Sequence, residues 1–450
     1  MRFSTLDKFS LRHILLAVFL TALIPRLIFF LLMVNQVPSE RLVRFPPDVE
    51  QYVASANAIR EEFDFDTEGV VIFGPGYPTF LALLGFLLMP NPYSLLLFQI
   101  FFSSLGTVLV AAFAFELTEN VRISLIAGLL NACSLTPIVL ANMLLSETVF
   151  FTLMTFGFLL FLKALKTGKA FYFLLTSLLL AAAALTRSAG QFLFLVLLTS
   201  AVAYAWPYRQ RNPKAFFKKL AWPLITAGLI ISVLTAWAFR NERLYGFRQV
   251  ALAGPIGISK LAILVQAELD NVAYEQASLA FTNEVNRLVS DTENYNEVFC
   301  SFAQNRLGYL VRKHPVTVLK VFTANVFDKI VDEWGEQYYL LPRWNSELKR
   351  ITSWVYKKGL HYRVTLLSLI GAIILLTQKK YQIITVLVAI YVYFALLSGF
   401  TLQQSNRIFY PAQLAWTVLT AHPLLFLYER LLRGSRSTFT KKAVSNSPPR

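Results

Sequence analysis

Cysteine, histidine and charge are all scarce in this chain. Only Cys133, Cys300 and four histidines occur in 450 residues, and charged residues make up 15%. The two cysteines lie in unlike surroundings, one in an apolar run and one in a polar stretch, so neither a disulfide framework nor a zinc pattern follows. His13, His314, His361 and His422 show no metal-ligand spacing. No P-loop, Gly-rich dinucleotide loop or nucleophile elbow is found, which leaves a soluble ATP or nucleotide-sugar site unsupported. Low-complexity tracts are missing, and so is an obvious internal repeat, which disfavours a transporter built from inverted halves.

What the chain has instead is apolar length. Hydrophobic residues reach 56% and mean hydropathy is +0.53, well above a soluble domain. The apolar residues come in blocks such as Leu11–Val34, Ser94–Phe115, Ile123–Val139 and Leu220–Phe239. A bilayer core takes about 20 apolar residues per helix, and only helices or closed barrels satisfy the backbone there. The blocks lack the alternation of barrel strands, so the sequence predicts an all-α polytopic membrane protein. The N-terminal run reads as an uncleaved first span, because it carries Pro25-Arg26 and no small-residue cleavage site follows.

The net charge of +16 reads as topology, not as a nucleic-acid footprint, because the cations cluster in particular loops. Arg2, Lys8 and Arg12 place the N-terminus inside. Lys163, Lys166 and Lys169, then Arg209 to Lys219, then Lys379-Lys380, then the tail from Arg430 to Lys442 mark later inside segments. Gly76 to Met89 is short for a span and opens on the breaker-rich Gly74-Pro75-Gly76-Tyr77-Pro78, so it is expected not to cross. About ten spans follow, with both termini cytoplasmic. The segments near Asp48, Ser146-Glu147, Arg187, Asn241 to Tyr356 and Thr401 to Arg407 then share the outer face. The expected organisation is an N-terminal transmembrane module (1–239) containing a first external loop (35–75), an external and mostly helical segment (240–361), C-terminal transmembrane helices (362–430) and a basic cytoplasmic tail (431–450). The external segment reads as amphipathic helices, for example Ile258–Val289 and Phe299–Lys313.

Candidate chemistry gathers on the outer side. Pro46-Pro47-Asp48 begins an amphipathic surface helix whose dipole favours an ionised Asp48. Tyr52, four residues on, shares its face and Glu50 does not. Such a carboxylate can accept a proton from a hydroxyl, or it can simply be a helix-start aspartate. Arg187, Arg240 and Arg407 stand on the face where positive-inside bias disfavours them. A guanidinium fork suits phosphate, although snorkelling of a long side chain explains any one of them. Glu147 in Ser146-Glu147-Thr148 fits a helix start and also lies near this face. Arg26 sits within a span, where a charge turns inward, to pair with a carboxylate such as Glu147 or to hold an anionic ligand.

These stretches resemble the GT-C membrane glycosyltransferases that use polyprenyl-phosphate sugars. That group includes protein O-mannosyltransferases and the lipid A aminoarabinose transferase, and it is glycosyltransferase family 39-like. Asp48 to Tyr52 is similar to the family's Asp-x-x-x-Tyr, and Gly74 to Leu81, with Tyr77, to its Pro-Pro-Gly-Tyr-Pro. Ser146-Glu147 precedes a span as in the family. Trp237 to Asn241, with Arg240, is similar to the Trp-x-x-Arg-Asn of bacterial members, and Arg407 to Pro411, with Tyr410, to their Arg-x-x-Tyr-Pro. The order is the family's from Leu11 to about Phe426. Phe73-Gly74 departs where many relatives carry Arg or Lys, and Glu50 is offset from the carboxylate that often adjoins the family aspartate.

The resemblance implies a GT-C fold and an inverting glycosyl transfer from a polyprenyl-phosphate sugar to an acceptor hydroxyl on a glycan, lipid or protein, at the outer face of a bacterial inner membrane. Asp48 would be the general base. Tyr52, Tyr77, Glu147, Arg187, Arg240, Asn241, Arg407 and Tyr410 would bind substrate. A divalent metal on Asp48 and Glu50 is the weaker cofactor reading. The bilayer and the lipid-linked sugar are the implied partners, and nucleic acid is not. A transporter or flippase for a lipid-linked or anionic substrate is the alternative.

Overall fold

The computed structural model describes residues 11–88, 91–210, 212–289, 294–331, 340–352, 361–400 and 407–445. Arg2, Lys8, Met89 and the stretch 401–406, which figure in the charge argument, lie outside them. The described residues are helical throughout, with short connections and 3-10 turns.

Six helices are long and apolar enough to cross a membrane: Leu11–Val34, Pro92–Thr118, Ser146–Thr167, Ser188–Tyr208, Pro213–Tyr245 and Tyr381–Ser398. Val121–Ala132 and Leu135–Ala141 make a seventh if the bent pair is one span. The protein is therefore an integral membrane protein. The apolar run Ile123–Val139 is not one straight helix: it bends by 57° between these two helices. Pro137 lies in the first turn of the second helix, where its missing N–H cannot continue the ladder of the first. Gly76–Leu87, Ala170–Thr186 and Val364–Thr377 are shorter apolar helices.

Ser146–Thr167 is the central helix, with 78% of its apolar window buried against 33% for Leu11–Val34. It packs between Pro92–Thr118 and Ala170–Thr186. Leu11–Val34 packs on Pro92–Thr118 and Val121–Ala132, and Gln413–Ser445 closes the bundle against Val121–Ala132 and His361–Thr377. One apolar core, with Phe113, Phe150, Phe158 and Phe394 fully buried, runs through these helices. On the bundle's outer surface Leu16, Ile24, Leu31, Leu178 and Leu366 are exposed, as the lipid-facing side of a span requires.

The first loop folds as short helices, Ser39–Leu42, α-helix Pro47–Glu62 and Glu68–Phe73. Pro46 and Pro47 start the second of these, as its sequence predicts, and Phe63 ends it in the left-handed region at φ 55°. It packs on Gly76–Leu88.

The segment after Tyr245 forms Ala253–Asp270, Tyr274–Leu288, Tyr295–Lys313 and Pro315–Val331. Ile258–Val289 was expected as one helix. Asn271, at φ 53°, breaks it, which an Asn tolerates better than most side chains. Two small cores hold the segment together, one around Phe281 and Val285 and one around Leu261, Val265 and Leu310. The segment is tied to the first loop by Leu252 N–H donating to Val71 O at 3.1 Å and by contact of Phe247 with Val71.

Candidate active site

Glu147 is in the first turn of the central helix, where the helix dipole favours a carboxylate, and its side chain is only 1% exposed. Two guanidiniums meet it. Arg187 caps the C-terminus of Ala170–Thr186 in an extended conformation, and its Nη1 lies 2.7 Å from Glu147 Oε1. Arg407, just before the 3-10 turn Tyr410–Ala412, donates from Nε to the same Oε1. A buried charge is tolerated when paired in this way. Glu147 Oε2 has no hydrogen-bond partner among the described residues.

Arg407 also reaches Asp48, with Nη2 at 3.0 Å from Oδ2. Asp48 sits in the first turn of Pro47–Glu62 and remains 28% exposed. Asp48 can thus be reached from outside, whereas Glu147 cannot.

Ser146 is the hub on the other flank. Its Oγ accepts from Arg187 Nη1 at 3.0 Å and shares a hydrogen bond with Tyr52 OH at 3.3 Å. Tyr52 is buried, and burial pushes its phenol well above the usual range, so it remains a neutral hydroxyl. Its ring lies 4.8 Å from those of Phe73 and Tyr77. Tyr77 OH donates to Gln99 Oε1 at 2.9 Å, and Gln99 Nε2 donates to Leu140 O at 3.1 Å and to Met143 O. Tyr410 packs its ring 4.7 Å from Phe151 on the central helix.

The breaker-rich Gly74-Pro75-Gly76 sets the approach of these parts. Gly74 has φ +101°, and a Cβ there would stand 2.6 Å from Leu185 O. One on Gly76 would stand 2.6 Å from Thr186 N. Only glycine lets this loop lie against the last turn of Ala170–Thr186, directly before Arg187.

The structure therefore brings together Asp48, Tyr52, Glu147, Arg187 and Arg407, with Tyr77 behind Tyr52 and Tyr410 beside the central helix. Arg240 and Asn241 form a separate group. Arg240 donates to Asp66 and, at 3.1 Å, to Phe65 O, and its guanidinium stacks 4.6 Å from the Trp237 ring centre. Asn241 Nδ2 donates to Gln249 O and Val250 O at 2.8 and 3.1 Å. Arg26 does not pair with Glu147. It is fully buried, and it donates to Ala22 O at 2.7 Å, Ser103 Oγ at 2.9 Å and Thr107 Oγ1 at 3.3 Å. Its helix packs on Pro92–Thr118, which puts hydroxyls within reach in place of the central helix's first turn.

Three participants escape a motif-based reading: Ser146 as acceptor, Gln99 and Asp66. Gln99 carried a usable signal, since a lone amide in the apolar run Leu95–Phe102 must find partners inside the bundle.

The residues do not fit a metal on Asp48 and Glu50. Glu50 is exposed and two residues away on the helix, which puts it on another face. The second carboxylate near Asp48 is Glu147, and two guanidiniums already occupy it. Among the described residues no three His, Cys, Asp or Glu side chains gather as a ligand set.

A helical membrane bundle in which one buried arginine, Arg407, joins the carboxylate of a surface helix to the carboxylate of the central helix defines the structural class. No family model matches the chain, and no curated protein does. Solved structures do. The chain is similar to the oligosaccharyltransferase AglB of Archaeoglobus fulgidus in complex with an inhibitory peptide and a dolichol-phosphate, at TM-score 0.55 and 12% identity, over 99% of this chain and 53% of that one. It is similar to the same organism's oligosaccharyltransferase in the apo form (TM-score 0.53, 13% identity, 96% and 52%) and in complex with Zn and sulfate (0.53, 14%, 94% and 51%). At this identity the likeness is one of fold, and that fold is the GT-C arrangement of those archaeal enzymes. The chain spans about half the length of each.

Proposed function

We propose that this chain is a membrane glycosyltransferase that moves a sugar from a polyprenyl-phosphate donor to an acceptor hydroxyl at the outer face of the membrane. The observation that carries the proposal is the junction of Asp48, Arg407, Glu147 and Arg187. It places a partly exposed carboxylate beside cations seated on a buried carboxylate. The archaeal fold likeness supports the reading, and so does the dolichol-phosphate in one of those complexes.

In the reaction, Asp48 accepts the proton of the acceptor hydroxyl. The oxygen bonds to the anomeric carbon, and the bond from that carbon to the phosphate oxygen breaks with its electron pair, inverting the anomeric centre. The leaving polyprenyl phosphate gains negative charge, which fixed guanidiniums stabilise. Arg407 and Arg187 have that role, and Glu147 holds them in place. One base suffices, where a glycosidase needs a paired acid and base. Tyr52 and Tyr410 shape the pockets at this centre, Tyr77 supports Tyr52 from behind, and Arg240 and Asn241 contribute from their separate group, where Arg240 bonds to the first loop at Asp66 and Asn241 to Gln249 O and Val250 O. Embedding the enzyme in the bilayer leaves the lipid tail in place, where extraction would cost about 0.8 kcal/mol per methylene.

The topology proposed with it has about ten spans and both ends on the cytoplasmic side. It uses the seven spans above together with Ala170–Thr186, His361–Thr377 and Gln413–Ser445, and it leaves Gly76–Leu88 uncrossed. Residues 1–239, 240–361, 362–430 and 431–450 are its working parts, and the second of these covers the site and shapes acceptor choice.

The test is sugar transfer from polyprenyl-phosphate sugars by Asp48→Asn, with donor and acceptor first identified by mass spectrometry of glycolipids and glycoproteins in a deletion strain. Transfer should fall to background. Full activity in Asp48→Asn would overturn the assignment, and substrate movement across vesicles without covalent product would favour a flippase.

A further inference from the structure

At the opposite end of the bundle from Asp48 lies a cleft of 930 Å³ between the C-terminal ends of Pro92–Thr118 and Leu193–Ala205 and the N-terminal end of Tyr381–Ser398. Lys379, Lys380, Glu119, Trp206 and Tyr381 line its mouth. Glu119 and Glu116 share Lys166, at 3.0 and 3.4 Å. Neither Lys379 nor Lys380 pairs with a carboxylate among the described residues, so with Lys166 and Arg209 the cations at this end outnumber those two carboxylates. Trp206 and Tyr381 are 54% and 59% exposed, as expected of amphipathic rings at a membrane–water boundary. Arg209 stacks on Trp206 at 4.7 Å and adds to the basic rim.

The cleft opens into a second groove of 550 Å³ between Leu193–Ala205 and Tyr381–Ser398, and Thr199 and Thr385 line both. Its walls are otherwise mainly aliphatic, with Leu195, Val196, Val388, Val392 and Leu396. From Ile384 to Leu396 a helix rises roughly 18 Å, slightly more than half of an about 30 Å hydrocarbon core. The groove is one leaflet deep.

We infer that this cleft and groove hold an anionic phospholipid of the basic-side leaflet, with its phosphate at Lys379 and Lys380 and an acyl chain along the groove. A donor tail entering from the other end is the competing occupant. The charge favours the phospholipid. At the far end Tyr393 OH donates to Ala189 O at 2.7 Å and accepts from Phe192 N–H at 3.2 Å, and Arg187, two residues before Ala189, is already on Glu147. The free ammoniums are at the cleft. Apolar burial cannot select this lipid, because a bilayer is as apolar as the groove, so selectivity rests on the headgroup.

The experiment titrates the purified full chain in detergent with phosphatidylglycerol and with phosphatidylcholine and counts retained lipid by native mass spectrometry. One phosphatidylglycerol should be retained in preference to phosphatidylcholine. Its affinity should fall roughly tenfold or more in Lys379→Gln/Lys380→Gln and persist in Lys379→Arg/Lys380→Arg, which guards against a simple folding defect. Phosphatidylglycerol with brominated chains should quench a fluorescence component that Trp206→Phe removes. Equal retention of both lipids, unchanged affinity in the double glutamine variant, or displacement of the brominated lipid by polyprenyl phosphate would overturn the inference. The last result would assign the groove to the donor tail.

Discussion

Arg407 joins two carboxylates far apart in the chain: its Nη2 lies 3.0 Å from Asp48 Oδ2 while its Nε donates to Glu147 Oε1. One of them is partly exposed on a surface helix and the other is sealed in the bundle. The guanidinium fork makes this span, and a point-like ammonium does not. Arg407 thereby ties the turn at Tyr410 to both the helix Pro47–Glu62 and the central helix.

Replacing Arg407 with lysine keeps the charge and removes the fork. Transfer activity should drop by roughly a hundredfold, the scale of losing one oriented donor to a developing negative charge, while the protein stays folded. Initial rates of sugar transfer, read beside the thermal midpoint in detergent, check this. Unchanged rates in Arg407→Lys would show that charge alone suffices and that the double contact has no role.

Glu147→Gln strands cations in the bundle. Arg407 keeps Asp48, but Arg187 loses its only carboxylate among the described residues. Breaking a buried pair from one side costs about 3–5 kcal/mol, so the thermal midpoint should fall sharply. In Glu147→Gln/Arg187→Gln the stranded charge is gone as well. The double variant should be less damaged than the two single losses added together. Strict additivity would mean that the two side chains do not interact.

Gly76→Ala probes how the loop fixes Arg187. Its Cβ would lie 2.6 Å from Thr186 N, so backbone must move where Arg187 follows. A loss of about 1–3 kcal/mol is expected, together with reduced transfer. Gly228→Ala is the control, with open space around the added carbon on a helix interior. It should stabilise by about 0.5–1 kcal/mol. Similar losses for both would remove the packing argument.

Much of the fold is legible in the sequence, because membrane helices are written in composition. The apolar run that begins at Leu11 ends at Val34, where its helix ends. The expected start at Pro47 and the place of Asp48 in the first turn hold because proline and helix polarity act locally. Legibility fails where non-local hydrogen bonding decides. A hydropathy window sees Ile123–Val139 as continuous and does not see Pro137 breaking the ladder. Arg26 looks like a partner for Glu147 only until helix packing sets Ser103 and Thr107 beside it. Charge parity put Asp48, Glu147, Arg187 and Arg407 on one face, and these four do meet. Arg240 shares that expected face but bonds to Asp66, since a face is much larger than a site and parity cannot choose within it.

Tyr52→Phe separates the hydroxyl from the ring. The ring contacts with Phe73 and Tyr77 remain, and the hydrogen bond to Ser146 is lost. At pH 8 that loss should cost about 0.5–1.5 kcal/mol. Alkaline pH changes the comparison. The unfolded chain ionises Tyr52 near the ordinary value of 10.0, while burial holds the folded phenol above it. Above pH 10 the unfolded state therefore binds fewer protons than the folded state, and stability falls with rising pH, by up to about 1.4 kcal/mol per pH unit for one such group. Phenylalanine carries no such penalty. The other tyrosines are common to both proteins and cancel in the difference. The deficit of Tyr52→Phe should shrink between pH 10 and 11 and then reverse, as followed by thermal midpoints in detergent at each pH. A difference that stays constant from pH 8 to 11 would mean that Tyr52 titrates like an exposed phenol and is not packed behind Ser146 as described.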